Sequence, residues 1–224
     1  MQADIRAIQA TGAMPLNVLT ATTLQTPDGL LASQLSDASE VERQVTALLA
    51  AYPVGAIKIG MLGHASIVEA VARALQAQEK PPFVVLDPVL RTSSGSPLLD
   101  AAGLEILNQR LLPLVGLVTP NLEERPLLTV PESLAVLLTG GHAEGAECVD
   151  RLTLPNGQEE AFSAERMETT NTRGTGCALS SAIAAYIALG KALPEACQQA
   201  KDLLHSSLTR NVDKGFIAPG PSFF

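Results

Sequence analysis

Four short runs constrain the fold of this chain more than any other feature: "VGAIKIGML" (54–62), "PPFVVLDPV" (81–89), "LVGLVTPN" (114–121) and "SLAVLLTGG" (133–141). Each is short, largely apolar, and broken at or near its carboxyl end by glycine, proline or a polar residue. Such runs read as strands buried on both faces. Between them lie segments with helical spacing. Val41, Val45, Leu48 and Leu49 share one face behind a capping-box-like Asp37 and Glu40, and Ile67, Val71, Ala74 and Leu75 share another. Buried strands alternating with amphipathic helices predict an α/β fold, a three-layer sandwich whose mostly parallel central sheet carries helices on both faces.

The remaining segments fit around that sheet. "QADIRAIQATG" predicts a short helix ending at Gly12, and "LNVLTATTLQ" a β-branched strand. "GLEILNQRLL" predicts a helix, and Asn156-Gly157 within "CVDRLTLPNGQEEAFS" a β-hairpin. Two further helices close the chain, the last with Pro194 in its first turn and a stripe of Cys197, Ala200, Leu204 and Leu208. No repeat, linker or low-complexity stretch interrupts residues 1–224, which predicts a single domain.

Composition excludes some functions. With 15 Lys+Arg against 23 Asp+Glu, the net charge is −8 and no basic block occurs, which argues against nucleic acid and anionic membrane as partners. Aromatic residues make up 3% of the chain and Trp is absent, so platforms for base stacking are not expected. The three cysteines, Cys148, Cys177 and Cys197, are widely spaced and odd in number, so neither a disulfide framework nor a zinc site is expected. A reducing, cytoplasmic setting is the natural reading. No apolar run reaches the ~20 residues of a membrane-spanning helix, and "QADIRAIQ" after Met1 does not look like a signal peptide.

In an open parallel sheet, ligands bind beyond the carboxyl ends of the strands. The exits that fall there are "KIGMLG", "LDPVLRTSSG", "TPNLEE", "TGGH" and "NTRGTGC". Each has an ordinary reading as well. Asp87 could cap the next turn, Glu123 and Glu124 could be a solvated helix start, and "TGGH" could be a plain turn. His64 and His205 have no partner at metal-ligand spacing. The last exit is the most specific, with Gly174 and Gly176 around Thr175, then Cys177 and a long apolar helix. Close-set glycines let a backbone bend or approach a ligand, and a helix start presents amide groups to an anion.

Taken in this order, the exits resemble the ribokinase-like superfamily, and within it the hydroxymethylpyrimidine and hydroxymethylpyrimidine-phosphate kinases of thiamine biosynthesis. The similarity runs from "QADIRAIQATGA" and "LTATTLQ" through "KIGMLG", "VVLDPVLRTSSGSPLL", "LLPLVGLVTPNLEE" and "LLTGGH" to "NTRGTGCALSSAIAAYIALG" and "DKGF". Cys177, where most of the superfamily carries Asp, points to the pyrimidine and pyridoxal kinase branch.

The resemblance implies ATP and Mg²⁺ as cofactors and a small pyrimidine as substrate. The amides of Gly174, Thr175, Gly176 and Cys177 would hold the transferring phosphoryl group. Cys177 would lie beside the accepting hydroxyl, and the helix dipole is expected to lower its thiol pKa toward a thiolate base. Its alternative is a small apolar helix residue. Asp87 and Glu124 would hold Mg²⁺ largely through water, with Asn121, Thr172 and Lys214 near the nucleotide. Gln25 would read the pyrimidine edge with its amide, and Met61 and Val89 would form apolar walls.

A homodimer is expected by the same resemblance. Members usually begin with a strand and a Gly-rich turn before "QAD", and that strand, that turn and one pocket wall are expected to be absent here. The segment around 125–133 is shorter than usual, and Thr139 stands where many relatives have Lys. Two alternatives stay open: a pyridoxine or pyridoxal kinase, and a degenerate pyrimidine-binding relative without catalysis.

Overall fold

The computed structural model describes residues 1–26, 29–92, 95, 97–140, 147–167 and 174–210. Thr172 and Lys214, expected near the nucleotide, and His142 lie outside them.

The chain opens with α1 (Gln2–Ala10), closed by Gly12 at φ 91° as the glycine suggested. The expected strand in "LNVLTATTLQ" starts late. Residues 13–20 are irregular, and β1 (Ala21–Thr26) pairs with β2 (Gly29–Leu35) as a separate antiparallel ribbon. Helix α2 (Ala38–Ala51) is capped by Asp37, whose carboxylate accepts from the Glu40 amide at 3.0 Å. Glu40 does not complete the reciprocal box; its carboxylate takes Arg43 and Gln44 instead.

Among the described residues the main sheet has six strands. β3 (Ala56–Ile59), β4 (Phe83–Leu86), β5 (Leu117–Val118) and β6 (Ala135–Leu138) run parallel. The expected hairpin, β7 (Glu147–Thr153) and β8 (Glu159–Glu165), continues the sheet antiparallel from β6, so the order is β3-β4-β5-β6-β7-β8. Successive strand residues alternate between faces. Val84 and Leu86 pack with α2, with α3 (Ala65–Gln76) and with the segment that begins at α4 (Ala101–Ile106). Val85 and Leu117 pack instead with α1, α5 (Thr175–Ala188) and α6 (Leu193–Arg210). The three layers are those the sequence predicts.

Two details depart from a simple reading. The helix through "GLEILNQRLL" widens after α4 into a π-helical turn over Leu107–Leu111, with the Leu112 amide bonded to the Leu107 carbonyl. That turn brings Leu107, Leu111 and Leu112 all into the core, each 1% exposed or less. The short 125–133 segment runs through a 3₁₀ turn, Arg125–Leu127, almost directly into β6.

Candidate active site

Parallel strands place their carboxyl ends side by side, and that edge gathers most of the expected groups. Asp87 follows β4 directly, with its amide bonded to the Ile59 carbonyl at the end of β3. Its carboxylate faces the start of α5. The Ser180 hydroxyl donates to Asp87 Oδ2 at 3.3 Å and also approaches the Gly176 and Cys177 carbonyls at 2.9 and 3.2 Å. A side-chain carbon added at Gly176 would lie 4.0 Å from the same Asp87 oxygen. Asp87, Gly176 and Cys177 therefore form one cluster, though they come from distant parts of the chain.

Helix α5 begins at Thr175, behind Gly174 at φ 78°. That left-handed turn suits glycine, since an L side chain is strained there. A Cβ at 174 would also sit 3.2 Å from the Ala3 methyl, so α1 packs closely over the loop. Ala178 is the first residue of the helix whose amide bonds back to Gly174. Gly176 and Cys177 present their amides at the helix mouth, where a phosphate is favoured.

The expected lowering of the Cys177 pKa is not found. Burial pushes the thiol up, the Asp87 carboxylate adds to that, and the Lys58 ammonium opposes both without prevailing. The thiol ends at about 12. The helix dipole, worth a fraction of a unit charge, does not outweigh loss of water and an adjacent anion. In the unliganded protein Cys177 is a thiol.

Glu124 is 7% exposed, and both of its oxygens are engaged by backbone amides: Oε1 by Leu90 at 3.0 Å and Oε2 by Asn121 at 3.1 Å. It braces two loops. Burial raises its pKa, and the two amide bonds counter this only in part. Asn121 Oδ1 in turn accepts the amides of Glu123 and Glu124, at 2.9 and 2.8 Å, so its side-chain oxygen supports the turn. Between Asp87 and Leu90 the chain passes through Val89 at φ 39°. A β-branched residue there is strained, and strain of this kind is held where the surroundings over-determine it. Glu124 holds Leu90 on one side and the sheet holds Asp87 on the other.

The donor set fits a hydrated divalent cation. Two carboxylates, each 7% exposed, border the same loop, and burial, with Asp87 and Glu123 nearby, raises the Glu124 pKa. Among the described residues no group of three or more His, Cys, Asp or Glu is arranged to hold a metal.

The other expected residues are more dispersed. Met61 is half-buried and lines a cavity of about 320 Å³ with Leu30, Leu35 and Asp100, beneath the β1–β2 ribbon. Gln25 sits on that ribbon at a register shift and is exposed. His64 caps α3 and lies 3.5 Å from Asp100.

Sequence reasoning missed Lys58, Asp4, Ser180 and Ser181. Lys58 Nζ lies 2.7 Å from Asp4 Oδ1 and 3.7 Å from Asp87 Oδ2, and the Ser181 hydroxyl donates to Asp4 Oδ1 at 2.8 Å. Burial lowers the ammonium's affinity for its proton, but the Cys177, Asp87 and Asp4 groups around it raise it further. One signal was available: a lysine inside the otherwise apolar run "AIKI" must find carboxylates.

Comparisons with known proteins identify the family. The family model for phosphomethylpyrimidine kinase matches residues 1–134 and 132–220. A hydroxymethylpyrimidine/phosphomethylpyrimidine kinase of Salmonella typhimurium is 38% identical, across 96% of this chain and 89% of that protein. Among solved structures, a phosphomethylpyrimidine kinase of Clostridium difficile superposes with a TM-score of 0.78 at 30% identity, covering 92% of this chain and 91% of that one. A pyridoxal kinase of Staphylococcus aureus in complex with ADP superposes with a TM-score of 0.80 at 25% identity, covering 96% and 88%. The fold is thus ribokinase-like, and the chain is a kinase that belongs to the phosphomethylpyrimidine kinase family.

Proposed function

We propose that the protein transfers the γ-phosphoryl group of ATP to 4-amino-5-hydroxymethyl-2-methylpyrimidine and to its monophosphate, as one catalytic unit over residues 1–224. The observation that carries this is the junction of Asp87 with the α5 helix mouth, through Ser180 and Gly176. Phosphoryl transfer asks a protein mainly for positioning and charge stabilisation. The amides of Gly174 to Cys177 supply the second, fixed in place before reaction. Asp87 and Glu124 would hold Mg²⁺, which would supply charge neutralisation at the nucleotide's phosphates. Cys177 is a thiol hydrogen-bonded to Asp87 in the free protein; its sulfur orients the acceptor hydroxyl and, as the new ester forms, takes the hydroxyl proton while the thiol proton passes to the Asp87 carboxylate. Thr172 and Lys214 remain proposed nucleotide contacts, and Gln25 and Met61 proposed pyrimidine contacts.

A homodimer and a cytoplasmic setting complete the proposal. Leu24 and Leu31 on the β1–β2 ribbon are 60% and 64% exposed, and a lone two-stranded ribbon is marginal in water, so a second copy is the natural cover. The cysteines are all free, as a reducing compartment favours. Sedimentation should give twice the 23.4 kDa chain mass; a monomer at micromolar concentration would remove the dimer.

The decisive assay is ADP release with hydroxymethylpyrimidine and with pyridoxal as acceptors. The pyrimidine should give the higher kcat/KM, and a strong preference for pyridoxal would reverse the assignment. Binding of the pyrimidine without ADP release would mark a non-catalytic relative.

A further inference from the structure

A second buried charge cluster lies beyond the residues discussed so far. Lys201 on α6 and Asp150 on β7 are 5% and 3% exposed, with Lys201 Nζ 2.7 Å from Asp150 Oδ2. The same ammonium donates to Cys148 Sγ at 3.3 Å. Burying such a pair gives little or no net stability, and an apolar pair of similar volume is often as good or better. Its use must be sought in what it holds. The other Asp150 oxygen, Oδ1, accepts the backbone amide of Gly140 at 2.8 Å.

Gly140 lies two residues beyond the end of β6, at the ligand-binding edge. A Cβ on it would meet the Val149 carbonyl oxygen at 2.0 Å, so its backbone lies directly on β7. The preceding residue, Thr139, bridges to Asn121, and its amide donates to the Pro120 carbonyl at 3.0 Å. The turn after β6 therefore borders the Asn121–Glu124 brace, the side of the site assigned above to nucleotide and metal. Val149 limits it from below, and the Asp150 carboxylate, aimed by Lys201, fixes its amide.

We propose that Lys201 and Asp150 are positioning residues for nucleotide binding. Lys201 orients and neutralises Asp150, and Asp150 sets the Thr139–Gly140 turn at the height the phosphates of ATP require. This rests on the kinase reading above. Neither side chain touches substrate.

Two double variants of the full chain separate positioning from plain stability. In Lys201→Met with Asp150→Leu the charges go and Gly140 loses its acceptor. In Lys201→Met with Asp150→Asn the charges also go, but an amide oxygen still faces Gly140. The first should raise KM for ATP about tenfold, the scale of one lost hydrogen bond to a charged group. The second should stay within about twofold of wild type. In both, KM for the pyrimidine should be unchanged.

Equal KM values for ATP in the two variants would overturn the inference while leaving the kinase assignment intact. A wild-type chain that consumes no ATP would overturn both. Should the leucine variant fail to fold, amide exchange at Gly140 decides. Protection in wild type and in the asparagine variant supports the proposal, and rapid exchange in wild type refutes it.

Discussion

Lys58 and Asp4, 54 residues apart in the chain, meet at 2.7 Å beneath the mouth of α5. Lys58 also lies 3.7 Å from Asp87, so one buried ammonium offsets two carboxylates at the point where phosphoryl transfer is proposed. The strand β3 carries Lys58 to that point, and α1 carries Asp4. Removing the cation would leave the buried Asp87 with the Ser180 hydroxyl alone, and Asp4 with the N-terminal amine and the Ser181 hydroxyl. We expect Lys58→Met to cost about 3 kcal/mol or more of unfolding free energy, measured by urea titration. Asp4→Asn in the same chain should recover part of the loss, and an unchanged urea midpoint in Lys58→Met would contradict the arrangement.

The same pair predicts an acid limit. Burial raises the Asp4 carboxyl, but Lys58 and the N-terminal amine override it and hold it at about 2. A carboxylate depressed in the folded state stabilises the protein above its unfolded value, roughly 3.9. That contribution fades as pH falls toward the folded value. The stability difference between wild type and Asp4→Asn should therefore be constant above about pH 5 and shrink between pH 4 and 2. A difference that grows on acidification would be the wrong sign.

Cys177 offers a chemical check. With its thiol near 12, alkylation in the absence of nucleotide should keep accelerating from pH 7 to beyond 9, with no plateau near neutrality, in a Cys148→Ala background. A plateau near pH 7 would restore the thiolate that the helix dipole suggested. Cys177→Ala should lower kcat by about a hundredfold or more if the sulfur accepts the hydroxyl proton. Nearly full turnover would assign the chemistry to the backbone amides alone.

Glu124 should act on the metal through water and loop position. Glutamine keeps the volume but turns one acceptor into a donor that faces a backbone N–H, breaking either the Leu90 or the Asn121 bond. The Mg²⁺ concentration for half-maximal activity should rise about 10- to 100-fold, as for other outer-sphere partners. EDTA should abolish turnover in both proteins. An unchanged Mg²⁺ requirement would leave Glu124 as a purely structural brace.

The sequence by itself determined the layers. Runs such as "FVVL" and "AVLL" are apolar at every position, so they need cover on both faces, and the intervening helices have one apolar face to give. It also marked the exits, because glycine, proline and acidic residues interrupt those runs at their carboxyl ends. The tertiary structure decided what the exits do to one another. Whether Cys177 is a thiolate depends on the balance among burial, Asp87 and Lys58, and no local pattern encodes that sum. Asp4, Lys58 and Ser181 meet only because α1, β3 and α5 pack together. Periodicity reports which face of an element is buried. Charge interactions depend on distances between elements, and those exist only once the chain has folded.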